Sequence, residues 1–436
     1  MSFSQISDDH LFCSPDGLIR VIDIPRSIAH SQDLTWKGKA LKQIYSTSAP
    51  DTPYPSTEPK SDNARLNVLA RLDLGTQRRN LEYAGHLRSQ LHELNKLYTG
   101  LWSATRLTRQ VGATKEELNR KSPADLSIPP LTRNQQGVQS LRCLRLDNSD
   151  SSKLLVESLR NVFIHNPGPK ASLIQATSEE GDEPIYSIPD FSAVCNSSID
   201  KQSAREFVES LRNLYPEDSI TLKRGQVDII LMDPPWTNRS VQRSDQYSTL
   251  STHWQDQDPL TAVEAVLPRL LATRGLLAIW ITNKSSARQR AMQIFQRLGA
   301  EIIQEWIWLK VTTKGEPVYT LDGIYRQSWE VCLVGRRGDT FSNSDSKDAK
   351  RLIIACPELH SRKPAIGRML VEHYDSDKPD GLRKLEIFAR YVSAGWCAWG
   401  DEALKFNDTD WWVDDQDPKD SSNEESGRHI ENLMLL

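Results

Sequence analysis

The sequence predicts an α/β protein, in which a sheet carries helices on both faces, together with a mainly helical N-terminal region. Two observations predict this class. From about residue 184, apolar runs of strand length alternate with segments of helix length. One of the runs, 227–232, ends at an acid that is followed by two prolines and a tryptophan. Because ligands of such sheets bind at the carboxyl ends of the strands, this position is the first candidate for a functional site.

The individual elements follow from the spacing of apolar residues, which differs between strands and helices. The predicted strands are 191–196, 227–232, 276–282, 305–311, 330–334, 352–355 and 385–389. The predicted helices are 201–214, 259–272, 285–298 and 364–373.

The N-terminal region, residues 1–183, is expected to be partly helical. Residues 18–22 predict a short strand, and the Ser/Thr/Pro-rich stretch around 46–60 predicts a linker. Residues 62–108 predict a helix, because apolar residues recur three or four apart. Its apolar face contains Leu87, Leu91, Leu94, Tyr98 and Leu101. This face is favoured to pack on its own domain; the alternative is that it binds a partner protein.

The chain divides into three predicted parts. The region 1–183, with a second helical run at 153–161, would bind substrate or a partner. The α/β domain covers 184–412, and the acidic tail 413–436 is expected to be disordered.

The composition excludes some classes of function. The net charge of −4 gives no global basic field, so a nucleic-acid substrate needs a local basic patch or a partner. No apolar stretch approaches the roughly 20 residues of a membrane span, and residues 1–4 do not begin a secretory signal. The six cysteines form no C-x-x-C pair and no zinc spacing with histidine. We therefore expect no metal site and a reducing compartment, namely the nucleus or the cytosol.

The quartet at 233–236 suits methyl transfer to an exocyclic amino group, which is a poor nucleophile because its lone pair is delocalised into the ring. Asp233 can accept one N–H of such an amine, and the carbonyl of Pro234 can accept the second. Trp236 offers a face on which a base can stack. The fixed φ angles of Pro234 and Pro235 hold these groups in place. The alternative is a plain turn with a buried tryptophan.

A polar loop with two arginines and an aromatic follows the quartet. Arg239 and Arg243 would bind phosphate, and Tyr247 would form a wall of the base pocket. Taken alone, these residues are equally compatible with a solvated loop.

With these residues in view, the sequence resembles the MT-A70 family of eukaryotic N6-adenine methyltransferases. The quartet is followed by N-R-S-V at 238–241 and R-S at 243–244, which is similar to the methyltransferase-like 4 branch of the family. The resemblance covers roughly 185–412 and continues in order through 280–283, 305–310, 332–335, 360–364, 385–390, 395–396 and 399–406.

The resemblance implies a Rossmann-like fold with permuted motif order and with S-adenosylmethionine (SAM) as methyl donor. The cofactor strand at 385–390 then follows the catalytic quartet. The resemblance implies that Lys363 binds the methionine carboxylate of SAM and that Phe388 and Arg390 flank its ribose. Asp401 and Glu402 would hold the ribose hydroxyls, as paired acceptors suit a diol. Lys310 is assigned to the substrate side of the site.

Two positions depart from the family pattern. Relatives often carry Asn-Glu or Asn-Gln where this chain has Asp401-Glu402, although an aspartate still accepts from a hydroxyl. Segment 194–198 lies where relatives place an acid against the cofactor adenine, and it contains none. Asn196 or Ser198 would substitute.

The function implied is SAM-dependent methylation of adenine N6 in nucleic acid, either an RNA such as small nuclear RNA or DNA. One alternative is a non-catalytic nucleic-acid-binding or scaffold member of the family. Another is an enzyme that acts on a different amino group, such as a glutamine side chain or cytosine. The intact acid at Asp233 favours an N6-adenine methyltransferase.

Overall fold

A computed structural model gives the architecture of the protein. It describes residues 10–34, 42–108, 141–146, 154–156, 159, 161–176, 184–216, 222–236, 258–338, 350–359, 362–374 and 381–413. In chain order the strands are β1 (Phe12–Cys13), β2 (Ile19–Val21), β3 (Gln43–Ile44), β4 (Arg142–Arg145), β5 (Leu154–Val156), β6 (Val162–Asn166), β7 (Ser172–Ala176), β8 (Ile185–Ile188), β9 (Ser192–Asn196), β10 (Val227–Met232), β11 (Leu271–Ile281), β12 (Ala300–Lys310), β13 (Trp329–Arg337), β14 (Lys350–Ala355), β15 (Lys384–Ile387), β16 (Cys397–Gly400) and β17 (Trp412–Val413).

The helices within the described residues are α1 (Ile24–Ser31), α2 (Asp62–Leu69), α3 (Leu74–Leu97), α4 (Lys201–Leu214), α5 (Pro259–Leu270), α6 (Ser285–Leu298) and α7 (Gly367–Tyr374). None of them is long and apolar enough to cross a membrane. Local chemistry fixes several of their ends. Asp200 caps α4 with a complete capping box, and Asp258 caps α5 just before Pro259. Helix α6 ends at Gly299, whose φ of 62° is the left-handed conformation that favours glycine.

Twelve strands form one sheet in the order β1-β2-β14-β12-β13-β11-β10-β15-β16-β9-β6-β4. The pairings show that eight of them run in the same direction: β2, β14, β12, β11, β10, β15, β16 and β9. All their carboxyl ends therefore lie at one edge of the sheet. The predicted α/β class is confirmed. Each predicted strand and helix of the region after 184 is present; β10, α4 and α6 have the predicted ends, and the others have shifted ends.

Alternate residues of the central strands enter two cores on opposite faces of the sheet. In β11, Leu277 and Ile279 join a cluster with helices α3 to α6, whereas Ala278 and Trp280 join a cluster with α1 and α7. A third cluster lies where β6 and β9 meet the small sheet of β5, β7 and β8. The long apolar strands are thus buried on both faces, as parallel sheets require.

The N-terminal region contributes to the same sheet. Strands β1 and β2 extend one side of it through β14, and β6 and β4 extend the other side through β9. The sheet therefore crosses the predicted boundary at 183/184. The predicted helix at 153–161 is wrong: residues 154–156 form β5, which pairs with β7. A strand this short gains its stability from its partner, and its own periodicity does not reveal it.

The amphipathic helix of the N-terminal region packs on the sheet, as favoured. Leu87, Leu91 and Leu94 of α3 are buried in the larger core. Tyr98 packs against that core as the helix ends, while Leu101 is 71% exposed. The hydroxyl of Tyr83 donates to Glu305 of β12 at 2.7 Å, which fixes the helix against the strand.

Candidate active site

The predicted site residues come from carboxyl ends of parallel strands. Asp233 follows β10, Lys310 ends β12, and Phe388 follows β15. Asp401 follows β16, and Asn196 ends β9. Lys363 lies in the segment that connects β14 to α7. The topology therefore brings residues that are far apart in the sequence to a single edge, the position at which open α/β sheets bind ligands.

The quartet at 233–236 forms a tight, fixed turn at this edge. The backbone N–H of Trp236 donates to the carbonyl of Pro234 at 2.8 Å. Because a carbonyl oxygen has two lone pairs, one acceptor position of Pro234 remains. The indole N–H of Trp236 donates to the carbonyl of Trp280 at 2.8 Å, and the ring packs partly against the larger core. The side chain of Trp236 is half-buried and its orientation is fixed.

Lys363 links Asp233 to a second carboxylate that the sequence did not suggest. Its Nζ lies 2.9 Å from Oδ2 of Asp233 and 3.2 Å from Oε2 of Glu330. Lys310 bonds the other oxygen of Glu330. The result is a chain of alternating charges, Asp233–Lys363–Glu330–Lys310, across the ends of β10, β13 and β12.

The charges of this chain stabilise one another. Burial disfavours the charged ammonium of Lys363, but Asp233 and Glu330 outweigh it and raise the pKa of Lys363. Burial likewise opposes ionisation of Glu330, yet Lys310 and Lys363 hold the pKa of that carboxyl far below its usual range. Lys363 is therefore firmly protonated, and Glu330 is ionised at neutral pH.

Glu386 of β15 is a third carboxyl group at the site that the sequence did not suggest. Burial, followed by the negative charge of Asp233, raises the pKa of Glu386 to about 8. It is paired in register with Leu231, which lies two residues before Asp233. Glu330 and Glu386 are each a single acid inside an apolar strand run, and this is the only signal in the sequence that could have identified them.

The residues predicted to hold the ribose lie together at the ends of β15 and β16. Phe388 has a positive φ of 62°, a conformation that non-glycine residues adopt mostly where function or packing requires it. Arg390 and Glu402 form an ion pair at 3.5 Å, and Lys405 contacts the same carboxylate at 3.1 Å. Asp401 is exposed beside them. These contacts give the ribose end of the predicted site both acceptors and cations.

The two residues predicted to contact the cofactor adenine, Asn196 and Ser198, differ in their exposure to solvent. Asn196 is 1% exposed, and its amide donates to the carbonyl of Leu159 at 2.8 Å. Ser198 is partly exposed and contacts Asp200 at 3.3 Å. Ser198 is thus the more accessible of the two, while Asp200 serves mainly as the cap of α4.

Three predicted substrate residues, Arg239, Arg243 and Tyr247, lie outside the described residues, as do 360–361 of the resemblance. The fourth, Lys310, is described. Its ammonium bonds Glu330 and lies 4.6 Å from the ring centroid of Trp308. The structure thus places Lys310 in the charge chain beside Lys363.

Comparison with known proteins bears directly on this edge of the sheet. The model of the MT-A70 family matches residues 227–402, from the first residue of β10 to Glu402. This segment of the chain belongs to the MT-A70 family. The match begins with the strand that delivers Asp233, and it includes Glu330, Lys363 and the ribose end.

Individual relatives extend the comparison. The chain is 39% identical over 197 residues to the N6-methyladenosine RNA methyltransferase MTA1 of Cryphonectria parasitica, covering 43% of this chain and 54% of that protein. It is 27% identical over 428 residues to the protein of the same name from Pyricularia oryzae, covering 92% of this chain and 96% of that protein. It is 35% identical over 200 residues to the human N(6)-adenine-specific methyltransferase METTL4, covering 44% of this chain and 40% of that protein. The chain thus spans about half or less of the first and third relatives, and nearly all of the second.

Proposed function

We propose that the protein is a SAM-dependent methyltransferase that adds a methyl group to N6 of adenine in nucleic acid. The observation that carries the proposal is the arrangement of Asp233, Lys363 and Glu330 at the carboxyl edge of the sheet, inside the segment that matches the MT-A70 family. Methyltransferases of this family are in general SAM-dependent.

The residues present fit the chemistry of SAM. The cofactor carries a carboxylate, a ribose diol and a sulfonium cation. Lys363 has three N–H donors, two of which the carboxylates of Asp233 and Glu330 can accept, so the third suits the cofactor carboxylate. Asp401 and Glu402 supply acceptors for the diol. Bound SAM would supply a methyl group that the adjacent sulfonium makes labile.

The chain's own task is then to orient and polarise the target amine. Asp233 accepts one N–H of the amino group, and the free lone pair of the Pro234 carbonyl accepts the other. These two bonds draw the amino hydrogens aside and localise the nitrogen lone pair. The side chain of Trp236, fixed by its bond to Trp280, offers a surface for the base. Catalysis in this scheme rests on position and electrostatics, and no covalent bond to the enzyme forms.

RNA is the favoured substrate, with DNA as the second. The relative that matches 92% of this chain is named an N6-methyladenosine RNA methyltransferase. An adenine within a duplex must first be flipped out, which costs a few kcal/mol, and single-stranded RNA avoids that cost. We place the activity in the nucleus or cytosol, since the six cysteines are all free thiols.

The test is nucleoside mass spectrometry after incubation of the protein with SAM and with separate RNA and DNA pools. We expect N6-methyladenosine in the RNA pool and none with Asp233→Ala. Methylation of the DNA pool alone would reassign the substrate. SAM binding without a methylated nucleoside in either pool would indicate a non-catalytic member of the family.

A further inference from the structure

The residue before Lys363 is an arginine buried in the protein. Arg362 is 2% exposed, and its Nη1 donates to Oε1 of Glu358 at 2.6 Å and to the carbonyl of Tyr45 at 2.8 Å. The side chain of Glu358 is completely buried. A buried ion pair of this kind is costly to desolvate and gives weak net stability, so a role in positioning explains it better than a role in stability.

Two aromatic rings complete the surroundings of Arg362. Its guanidinium carbon lies 4.0 Å from the ring centroid of Phe406 and 4.8 Å from that of Trp411. Among the described residues, Nε and Nη2 of Arg362 have no hydrogen-bond partner. The rings therefore compensate the charge by cation–π contact, for which the planar guanidinium is suited. A lysine could not reproduce both the stacking and the two bonds from Nη1.

A second arginine holds the start of the same segment. Arg106 donates to the carbonyls of Cys356 and Pro357, both at 2.9 Å, and to that of Thr47 at 3.2 Å. Its side chain is 3% exposed and lies 4.0 Å from Asp23. Cys356, Pro357 and Arg362 are thus each held by contacts of an arginine side chain before the chain reaches Lys363.

We propose that Arg362 is the positioning residue of Lys363, which it holds between Asp233 and Glu330. The residue before Lys363 is held in place, and the side chain of Lys363 extends from there to the carboxylates of Asp233, which follows β10, and of Glu330 in β13. Glu358 and the Phe406–Trp411 pair have the role of keeping the guanidinium in place.

Chemical labelling of lysines tests this without any ligand. In the parent protein, Lys363 should react slowly with an acylating reagent, because its two carboxylate partners keep it protonated. Arg362→Lys retains a positive charge for Glu358 but removes the planar guanidinium that stacks on Phe406 and Trp411. We expect Lys363 in this variant to be acylated several-fold faster, as measured by peptide mass spectrometry.

The internal reference is Lys310, which bonds the same Glu330 but is held by strand β12. Its labelling rate should stay unchanged. A matched control variant is Arg288→Lys, which alters a partly buried pair with Glu305, away from Lys363. Equal increases at Lys310 and Lys363, or an unchanged rate at Lys363, would overturn the proposal. Should Arg362→Lys fold poorly by circular dichroism, the double variant Glu358→Gln/Arg362→Met removes both buried charges and gives the same test.

If Arg362 positions Lys363, its replacement should also weaken cofactor binding, an expectation that rests on the proposed function. Calorimetry with two cofactor analogues tests the role of Arg362 and the proposed function separately. S-adenosylhomocysteine carries the amino-acid carboxylate, and 5′-methylthioadenosine lacks it. Arg362→Lys should weaken the first about tenfold, as expected for a displaced charge-assisted bond, and leave the second unchanged. In a Lys363→Ala background the same change should have no further effect. If the parent protein binds neither compound, the proposed function fails, while the labelling result still decides the role of Arg362.

Discussion

At the scale of single residues, the charge chain from Asp233 to Lys310 places cations between carboxyl groups that lie close together. Lys363 lies 2.9 Å from the carboxylate of Asp233. Glu386 is protonated at neutral pH, because burial and then the negative charge of Asp233 raise its pKa to about 8.

Replacement of Asp233 by Asn tests its role as acceptor. The amide keeps the shape of the side chain but loses the charge and one acceptor oxygen. We expect methylation to be abolished while SAM affinity stays within a few-fold, measured by nucleoside mass spectrometry and calorimetry. Asp322→Asn, at an exposed acid paired with Arg88, is the matched control and should leave turnover unchanged. Near-normal turnover of Asp233→Asn would remove this residue from the mechanism.

Lys363 should act on the cofactor side. Its change to Ala removes a charge-assisted bond worth about 1.5–3 kcal/mol, so the Kd for SAM should rise roughly 10- to 100-fold. Lys310→Ala is the control, because it removes the other cation beside Glu330 but leaves Lys363 in place. Calorimetry that shows the same SAM affinity for parent and Lys363→Ala would contradict the assignment.

Glu386 predicts a pH dependence of stability. Its pKa is raised from the usual 4.5 to about 8, so the folded state keeps a proton that the unfolded state releases. The stability of the ligand-free protein should therefore fall as the pH rises from about 4.5 to about 8 and level off above that. Glu386→Gln, which cannot ionise, should lack this component. Urea unfolding at several pH values measures it, and parallel stability curves for the two proteins would refute the shift.

At the scale of elements, the sequence pattern predicted those strands and helices whose periodicity is strong. Strand β10 is a continuous apolar run and was predicted with its observed ends, as was α6. Strand β12 begins at Ala300, earlier than predicted, because its first half alternates with polar residues and is stabilised by β13. Strand β16 was missed as an element, since four residues of mixed size carry little periodicity.

For the site, too, the sequence predicted only those residues that have a local signal. The motif and the resemblance identified Asp233, Lys363, Phe388 and Asp401 as candidates. Glu330 and Glu386 could not be identified in this way, because a lone acid in an apolar strand has no local signature of its partner. The ion pairs of Glu330 exist only once β12, β13 and the segment after β14 have come together. Long-range pairing of this kind is a property of the topology.

We predict that the loop after the quartet binds the phosphates of the nucleic acid. The chain has a net charge of −4, so a polyanion must meet a local group of cations, and Arg239 and Arg243 lie within ten residues of Asp233. Changing both to Gln should weaken nucleic-acid binding and flatten its salt dependence by about one unit of slope for each phosphate that is no longer neutralised. SAM affinity should not change. An unchanged salt slope would mean that the substrate runs elsewhere, and the N-terminal region near α3 would be the next surface to mutate.

At the scale of the whole molecule, the N-terminal region is joined to the α/β domain by sheet, core and polar contacts. Strand β2 pairs with β14, and α1 contributes Ile24 and Ile28 to the core that also contains Trp280. Glu58 accepts the backbone N–H groups of Ile324 and Tyr325 in the segment between β12 and β13. Arg106 reaches the segment before Lys363. Contacts from residues before 184 thus support both the segment before Lys363 and the segment between β12 and β13.

This integration predicts that the α/β domain of residues 184–412 cannot stand alone. A chain of residues 184–413 would lack β2 and β6, which leaves β14 and β9 as open edges, and it would expose the core surface that α3 covers with Leu87, Leu91 and Leu94. Unpaired edges and apolar patches of this kind favour association. We expect this chain to aggregate or to lack a cooperative thermal transition in circular dichroism and calorimetry. The control is a chain of residues 10–413, which keeps every described residue and should unfold cooperatively near the temperature of the full protein. A soluble 184–413 chain with a sharp transition and parental SAM affinity would instead show that residues 184–412 are an independent domain, as the sequence alone predicted.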